Sequence, residues 1–154
     1  MKVIIYSAIL FFLFSCDTHT NEQTTNTPQT LTNSDEIINS VKGASGKFNL
    51  DQITIGNLHR FENTVLNFRD IAKKRSPKID IYNELSIIIS RNMEEISSQC
   101  KMKGEGHEQL KNILTKISEQ NKTIAGNNLE QAKLAFKNIC ELTDQIHSDF
   151  DYSN

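Results

Sequence analysis

The sequence predicts an all-α protein, a four-helix bundle of up-down-up-down topology that follows a signal peptide and a disordered tether. In residues 48–150, where 38 of 103 residues are apolar, the apolar positions recur at spacings of three and four, which is the period of amphipathic helices. Gly, Pro and Asn residues stand where four such stripes end. The predicted divisions are therefore a leader at 1–15, a tether at 16–47 and the bundle domain at 48–154.

The leader has the pattern of a secretory signal peptide. Lys2 precedes an apolar stretch that ends at Cys16, and 12 of the first 15 residues are apolar. A spanning helix needs roughly 20 apolar residues, so this stretch is too short to be one. The pattern predicts export from the cytoplasm.

The residues Leu13-Phe14-Ser15-Cys16 resemble the lipobox of bacterial lipoproteins. The resemblance implies that Cys16 becomes the N-terminus and carries lipid on its sulfur, with acyl chains such as palmitate that anchor the protein to a membrane. It places the chain at the cell membrane or the outer membrane, facing the periplasm or the cell surface. Asp17 resembles an inner-membrane retention signal of some bacteria, and the choice of membrane stays open.

The segment after the lipobox is predicted to be disordered. Only five of the 31 residues from Asp17 to Lys47 are apolar, and Thr, Asn, Gln and Ser dominate. Such a composition buries too little surface to offset the entropy of ordering. As a flexible coil of this length it would reach about 30 Å, which holds the domain away from the lipid head groups.

The first two helices are predicted from two apolar stripes. The first stripe consists of Leu58, Phe61, Val65, Phe68 and Ala72. The second consists of Tyr82, Leu85, Ile89, Met93, Ile96 and Cys100. The second helix is expected to begin near Pro77, because proline is favoured in a helical first turn. The β-branched run 87–89 lies inside this long helical pattern, which outweighs its strand propensity.

Two further stripes predict the third and fourth helices. The third stripe consists of Leu110, Leu114, Ile117 and Ile124, with Asn121 as an interruption. The fourth consists of Leu129, Ala132, Phe136, Ile139, Thr143, Ile146 and Phe150. Asn127 is placed to cap the fourth helix, with Glu130 three residues later. The connections are short, which favours antiparallel neighbours.

This topology collects unusual side chains at one end of the bundle. The start of helix 1, the end of helix 2, the start of helix 3 and the end of helix 4 carry His59, Cys100, Met102, His107 and His147. Imidazole, thiolate and thioether together are ligands for copper or zinc. A purely structural cluster is the alternative, because a Cys in a core stripe is usually a small buried hydrophobe. Non-covalent haem is a further one, whereas covalent attachment is excluded by the lack of a Cys-x-x-Cys-His motif.

A disulfide between Cys100 and Cys140 is the remaining alternative, since export brings the chain into an oxidising compartment. Cys140 lies about 15 Å from the end of its predicted helix, whereas Cys100 is near the end of helix 2. A bridge needs Cα atoms within about 7 Å of each other, so the bond requires one helix to stop early or the other to run long.

The turn Cys100-Lys-Met-Lys-Gly-Glu-Gly-His107 has the pattern Cys-x-Met-x-Gly-x-x-His. It resembles a segment of small exported four-helix proteins of Bacteroidota-type bacteria, which are related in outline to helical domains associated with heavy-metal efflux. The resemblance implies a periplasmic four-helix domain whose defining positions are Cys100, Met102 and His107.

Composition and motifs narrow the function. A formal net charge of −2 excludes the basic surface of a general nucleic-acid binder. The sequence has no Gly-x-Ser-x-Gly elbow, phosphate loop or His-Glu-x-x-His motif, so no enzyme is predicted. The expectation is an anchored binding protein that holds or buffers a transition metal, and the alternative is an interaction lipoprotein with an envelope protein partner. The basic run 73–75 is assigned to compensation of a helix dipole rather than to a lipid or anion site.

Overall fold

A computed structural model describes residues 37–153, which belong to one compact unit. The predicted signal peptide, Cys16 and the predicted tether up to residue 36 lie outside the described residues. Four helices form the unit: α1 (Gln52–Lys74), α2 (Ile79–Gln99), α3 (Glu105–Ile124) and α4 (Leu129–Asp149). Each helix packs against the helices before and after it, and α4 closes the ring against α1. The predicted all-α four-helix bundle is confirmed.

Four two-residue strands join the start of the described chain to the end of the bundle. β1 (Ile38–Asn39) pairs in parallel with β3 (Met102–Lys103) in the turn between α2 and α3. β2 (Phe48–Asn49) pairs in parallel with β4 (Phe150–Asp151), which follows α4. The start of α1, the α2–α3 turn and the end of α4 therefore meet at one end of the bundle, as the sequence predicted.

The segment 37–50, here called the strap, corrects the predicted boundary of the tether at Lys47. Ser40 is fully buried, and its hydroxyl donates to the backbone carbonyl of Asn49 at 2.5 Å. Phe48 and Leu50 belong to the hydrophobic core. The strap is ordered although its own apolar content is low, because its backbone also forms hydrogen bonds with the α2–α3 turn and pairs with β4.

The core contains most of the predicted stripes together with residues outside them, such as Phe48, Leu50 and Ile113, and the helix starts differ from the prediction by one or two residues. Asn128 caps α4 by accepting from the Gln131 amide at 3.0 Å, one residue later than the predicted cap Asn127. The N-cap of α2 is Lys78, and Pro77 is buried just before the helix rather than in its first turn. The 87–89 run is helical, as expected.

The α1 N-cap also ties the bundle end together. Asp51 is buried and accepts from the Thr54 amide at 2.9 Å and from the Thr54 hydroxyl at 2.6 Å. Its second carboxylate oxygen also accepts from the Lys101 amide in the α2–α3 turn at 3.3 Å. One carboxylate thus caps a helix and fixes the turn that carries Met102. Within residues 37–153 no helix is long and apolar enough to cross a membrane.

Candidate functional site

The α2–α3 turn brings together two of the five predicted ligand residues. The Sγ atom of Cys100 lies 3.6 Å from Nδ1 of His107, and both residues are half-buried. Cys100 is the residue after the last turn of α2, and its amide donates to the carbonyl of Ile96 at 3.1 Å. His107 lies in the first turn of α3. A thiol and an imidazole in contact are a nucleophilic or soft-metal pair in chemical terms.

Close packing of the strap fixes this turn. Gly104 has a φ of 86°, a left-handed conformation that favours glycine. A Cβ atom at Gly106 would lie 2.1 Å from Ser40 Oγ and 3.0 Å from Phe48 Cβ, so no side chain fits there. The geometry of the Cys100–His107 pair therefore depends on a segment that the sequence did not predict to be ordered.

Met102 does not lie beside the other predicted metal ligands. It lies in β3, opposite Ile38 in the register, and is 3% exposed within the hydrophobic core. Strand pairing with the strap determines this placement, because neighbouring side chains in a strand alternate between faces. The thioether acts as a core side chain here.

The two remaining histidines belong to a different group, here called the Glu62 cluster, which is formed by His59, Glu62, His147 and Tyr152. Glu62 of α1 is 3% exposed and accepts a short hydrogen bond from the hydroxyl of Tyr152. Nε2 of His147 lies 3.2 Å from one carboxylate oxygen, and Nδ1 of His59 lies 3.5 Å from the other. A single buried carboxylate is thus surrounded by one hydroxyl and two imidazoles.

The ring of Tyr152 completes the Glu62 cluster. It stacks on His147 with 4.9 Å between ring centroids and contacts His59 at 5.1 Å. Burial raises the pKa of Tyr152 strongly, and the hydrogen bond to Glu62 raises it further, because the carboxylate would repel a phenolate. The cluster fastens the end of the chain to α1 and α4.

Sequence reasoning missed Glu62 and Tyr152, although one signal was available. Glu62 follows Phe61 and precedes Val65 by three residues, so it falls on the buried side of the first stripe. A carboxylate in that phase needs buried partners. Tyr152 lies beyond the last helix and outside any periodic pattern, and it carries no such signal.

The structure therefore divides the predicted metal ligands into Cys100 with His107, Met102 in the core, and His59 with His147 beside Glu62. Among residues 37–153, no group of three or more His, Cys, Asp and Glu side chains is arranged to hold a metal ion. The predicted set of five does not form one site. Both imidazoles beside Glu62 are about half exposed.

Within residues 37–153, Cys100 and Cys140 are both free thiols, so the alternative of a disulfide between them is not realised. They line different grooves, one between α2 and α3 and the other between α1 and α4. Burial raises the pKa of Cys140. Cys100 alone is in contact with an imidazole.

A groove of about 600 Å³ runs between α2 and α3 and has the Cys100–His107 pair at one end. Its lining residues extend from 90 to 100 on α2 and from 107 to 122 on α3, which corresponds to a length of about 20 Å. The apolar part of the lining consists of Met93, Ile96, Leu110 and Leu114. The volume lies within the range of about 300–1,000 Å³ that is typical of ligand pockets.

A buried amide marks the other end of this α2–α3 groove. The Nδ2 of Asn121 donates to the Ser86 carbonyl at 2.9 Å and to the Ser90 hydroxyl at 2.8 Å. Its Oδ1 is buried and has no hydrogen-bond partner among the described residues. Asn121, which interrupts the third stripe in the sequence, thus bridges α3 to α2 and leaves one acceptor unused where the groove ends.

Comparisons of this chain with known protein families, with curated proteins and with solved structures find no match. The functional assignment therefore rests on the residues and their geometry.

Proposed function

We propose that this protein is a lipid-anchored, non-enzymatic envelope protein that binds an amphipathic helix of a protein partner in the α2–α3 groove. The observation that carries the proposal is the groove itself, an open channel of about 600 Å³ between two helices of the bundle. Anchorage by Cys16 rests on the lipobox resemblance and would hold the groove within reach of a membrane.

The floor of the groove supports a helical occupant. Leu110 and Leu114 on α3 are one turn apart, and Met93 and Ile96 on α2 are three residues apart. An amphipathic helix presents apolar side chains at matching intervals and can lay them in such a groove. The edges of this floor are the accessible part, because Met93 and Leu114 are 8% and 7% exposed, whereas Ile96 and Leu110 are fully buried beneath them.

The rim of the groove carries both signs of charge. Glu94 stands on the α2 side, and Lys111, Glu119 and Lys122 stand on the α3 side. A mixed rim complements the alternating charges of an amphipathic helix and gives little attraction to a uniformly charged ligand. The rim thus supports a protein partner over a nucleic acid or a lipid surface.

Site-specific photo-crosslinking in intact cells tests the proposal, with a matched pair of serines as probe and control. Ser97 and Ser98 are adjacent exposed residues of α2, but only Ser97 lines the groove. A photoreactive amino acid at Ser97 of the full-length protein is expected to crosslink one partner protein through a mapped amphipathic helix. The same group at Ser98 is expected to give no such product.

Blocking variants sharpen the result. Thr115→Trp fills the groove from α3 and should abolish the Ser97 crosslink, whereas Lys116→Trp, on the exposed neighbouring position outside the lining, should leave it intact. Equal products from Ser97 and Ser98, or adducts of lipid instead of a peptide, would contradict the helix-binding proposal. Incorporation of a palmitate analogue that persists in Cys16→Ser would contradict the anchor.

Binding of Cu(I) by Cys100 and His107 is a second candidate, and the 3.6 Å contact between thiol and imidazole supports it. A soft thiolate selects Cu(I), and two donors can hold an ion of low coordination number. Under reducing conditions, Cu(I) at a hundredfold excess over Kd would stabilise the fold by about 2.7 kcal/mol. Cys100→Ser should remove this shift and Cys140→Ser should retain it; no shift in the unmutated protein rules the candidate out.

A further inference from the structure

A second groove, of about 300 Å³, lies between α1 and α4 and has cationic walls. Arg69 and Lys73 line it from α1, and Lys133 and Lys137 line it from α4. Each helix supplies its two cations four residues apart, which places them on one helical face. The groove therefore brings four positive charges together from two helices.

Ion pairing leaves this charge partly unneutralised. Lys133 pairs with Glu130 at 2.7 Å, and Lys137 pairs with Glu141 at 3.6 Å. Neither Arg69 nor Lys73 forms an ion pair with any residue of the described chain, and the buried Nε of Arg69 has no hydrogen-bond partner there. The terminal nitrogens of the guanidinium are the donors that Arg69 can offer to a phosphate or a carboxylate.

Compensation of helix dipoles does not explain the arrangement. It accounts for Lys73, which lies in the last turn of α1. Lys133 and Lys137, however, lie in the first half of α4 beyond its first turn, where the helix dipole gives no reason for cations. Since Glu130 and Glu141 pair with these two lysines, Arg69 and Lys73 are the cations left to an anionic ligand in the groove.

The floor of the α1–α4 groove is apolar. Tyr82 and Phe136 are buried, and their rings pack edge to face at 6.4 Å between centroids. Ala72 and Cys140 are half-buried beside them and form the part of the floor that a ligand can contact. Cations above an apolar floor match a ligand in which an anionic head group is joined to hydrocarbon, whereas a small free anion would leave the floor unused.

We propose that the α1–α4 groove binds an anionic phospholipid, with its phosphate held by Arg69 and Lys73 and its hydrocarbon against Ala72 and Cys140. This site lies on a different pair of helices from the α2–α3 groove and takes a different class of ligand. It would give the protein a second contact with membrane lipid, in addition to the acyl chains expected on Cys16.

The two free thiols provide a reporter and an internal control. Cys140 lines the α1–α4 groove, and Cys100 lines the α2–α3 groove. Both are half-buried, so both can be followed in one sample by alkylation and mass spectrometry. A lipid seated in the α1–α4 groove covers Cys140 and leaves Cys100 accessible.

The experiment uses the full-length protein in phosphatidylcholine vesicles with and without phosphatidylglycerol. Phosphatidylglycerol is expected to slow alkylation of Cys140 about tenfold when about nine-tenths of the grooves are occupied, because only empty grooves react. Alkylation of Cys100 should keep its rate. Arg69→Gln and Lys73→Gln should each restore the Cys140 rate, whereas Lys74→Gln removes the same charge from the same turn outside the groove and should not.

Several results would overturn the proposal. One is a Cys140 rate that does not respond to phosphatidylglycerol, and another is equal slowing of both thiols, which indicates a general surface effect. Equal effects of Lys73→Gln and Lys74→Gln would reduce the interaction to net charge. Protection of Cys140 by inorganic phosphate alone would assign the site to a free anion. None of these outcomes changes the crosslinks expected from Ser97, so the two proposals fail independently.

Discussion

The two donor groups at the strap end of the bundle use similar residues in opposite ways. In the Glu62 cluster, one buried carboxylate is surrounded by the Tyr152 hydroxyl and two imidazoles. The Cys100–His107 pair instead makes one contact of 3.6 Å and borders an open groove. The difference shows that side-chain chemistry alone does not make a binding site. Donors are available to a ligand where the fold leaves them with space and few internal partners.

The Glu62 cluster should contribute more to stability than the Cys100–His107 pair, and Glu62→Ala is expected to have the largest effect of the substitutions. Removal of the carboxylate leaves the Tyr152 hydroxyl without its acceptor and breaks both imidazole contacts, at a cost of about 3 kcal/mol. Chemical denaturation measures this change. Glu141→Ala, an exposed substitution on α4, should stay within about 0.5 kcal/mol. Equal costs for the two variants would remove the structural role of the Glu62 cluster.

Gly106→Ala should weaken the packing of the strap, which supports the Cys100–His107 pair. The added Cβ would fall 2.1 Å from Ser40 Oγ, and overpacking of this kind costs about 1–3 kcal/mol. Gly56→Ala is the control, because a Cβ there meets nothing within 4 Å. We expect faster amide exchange of residues 38–40 in Gly106→Ala alone. Unchanged exchange would mean that the strap does not depend on this packing.

Alkaline pH should lower the stability that the Glu62 cluster contributes through Tyr152. The pKa of Tyr152 is raised in the fold, so in the unfolded chain the phenol ionises first. Its contribution to stability is complete below about pH 10 and falls above it by about 1.4 kcal/mol per pH unit, because the unfolded state then binds fewer protons. Tyr152→Phe should be less stable near neutral pH by about 1.5 kcal/mol and should show a shallower alkaline loss. An identical alkaline slope in both proteins would contradict this origin.

His107→Ala should have the smallest effect on stability, within about 1 kcal/mol, because its one side-chain contact is with a half-buried thiol. Its effect should appear in chemistry instead. Alkylation of Cys100 should change in rate, since the neighbouring imidazole is lost, whereas alkylation of Cys140 should not. A change at Cys140 alone would show that the two thiols are not independent.

The fold was largely predictable because helical periodicity is a local property. The stripe from Leu58 to Phe68 and the stripe from Ala132 to Ile146 repeat every three to four residues, and each is buried in the structure. Errors occurred where a single residue decides a boundary, as with Asn128 in place of Asn127 at the start of α4.

The site was predictable only in part. The topology correctly brought Cys100, His107, His59 and His147 to one end of the bundle, but it could not divide them between two groups. That division depends on Tyr152, which lies outside the periodic pattern and reaches Glu62 across 90 positions of sequence. The strap was missed for a related reason, because polar composition predicts disorder unless distant backbone groups supply partners.

The sequence by itself determined the four helices, their order and the residues that reach the strap end, since amphipathic period and breaker residues act over a few positions. Only the tertiary structure decided which of those side chains are surrounded by internal partners and which border a groove that a ligand can enter. It buried Met102, surrounded Glu62, and left grooves beside Cys100 and Cys140. The reason is physical: burial and hydrogen-bond satisfaction depend on contacts between distant segments, and a local pattern carries no record of them.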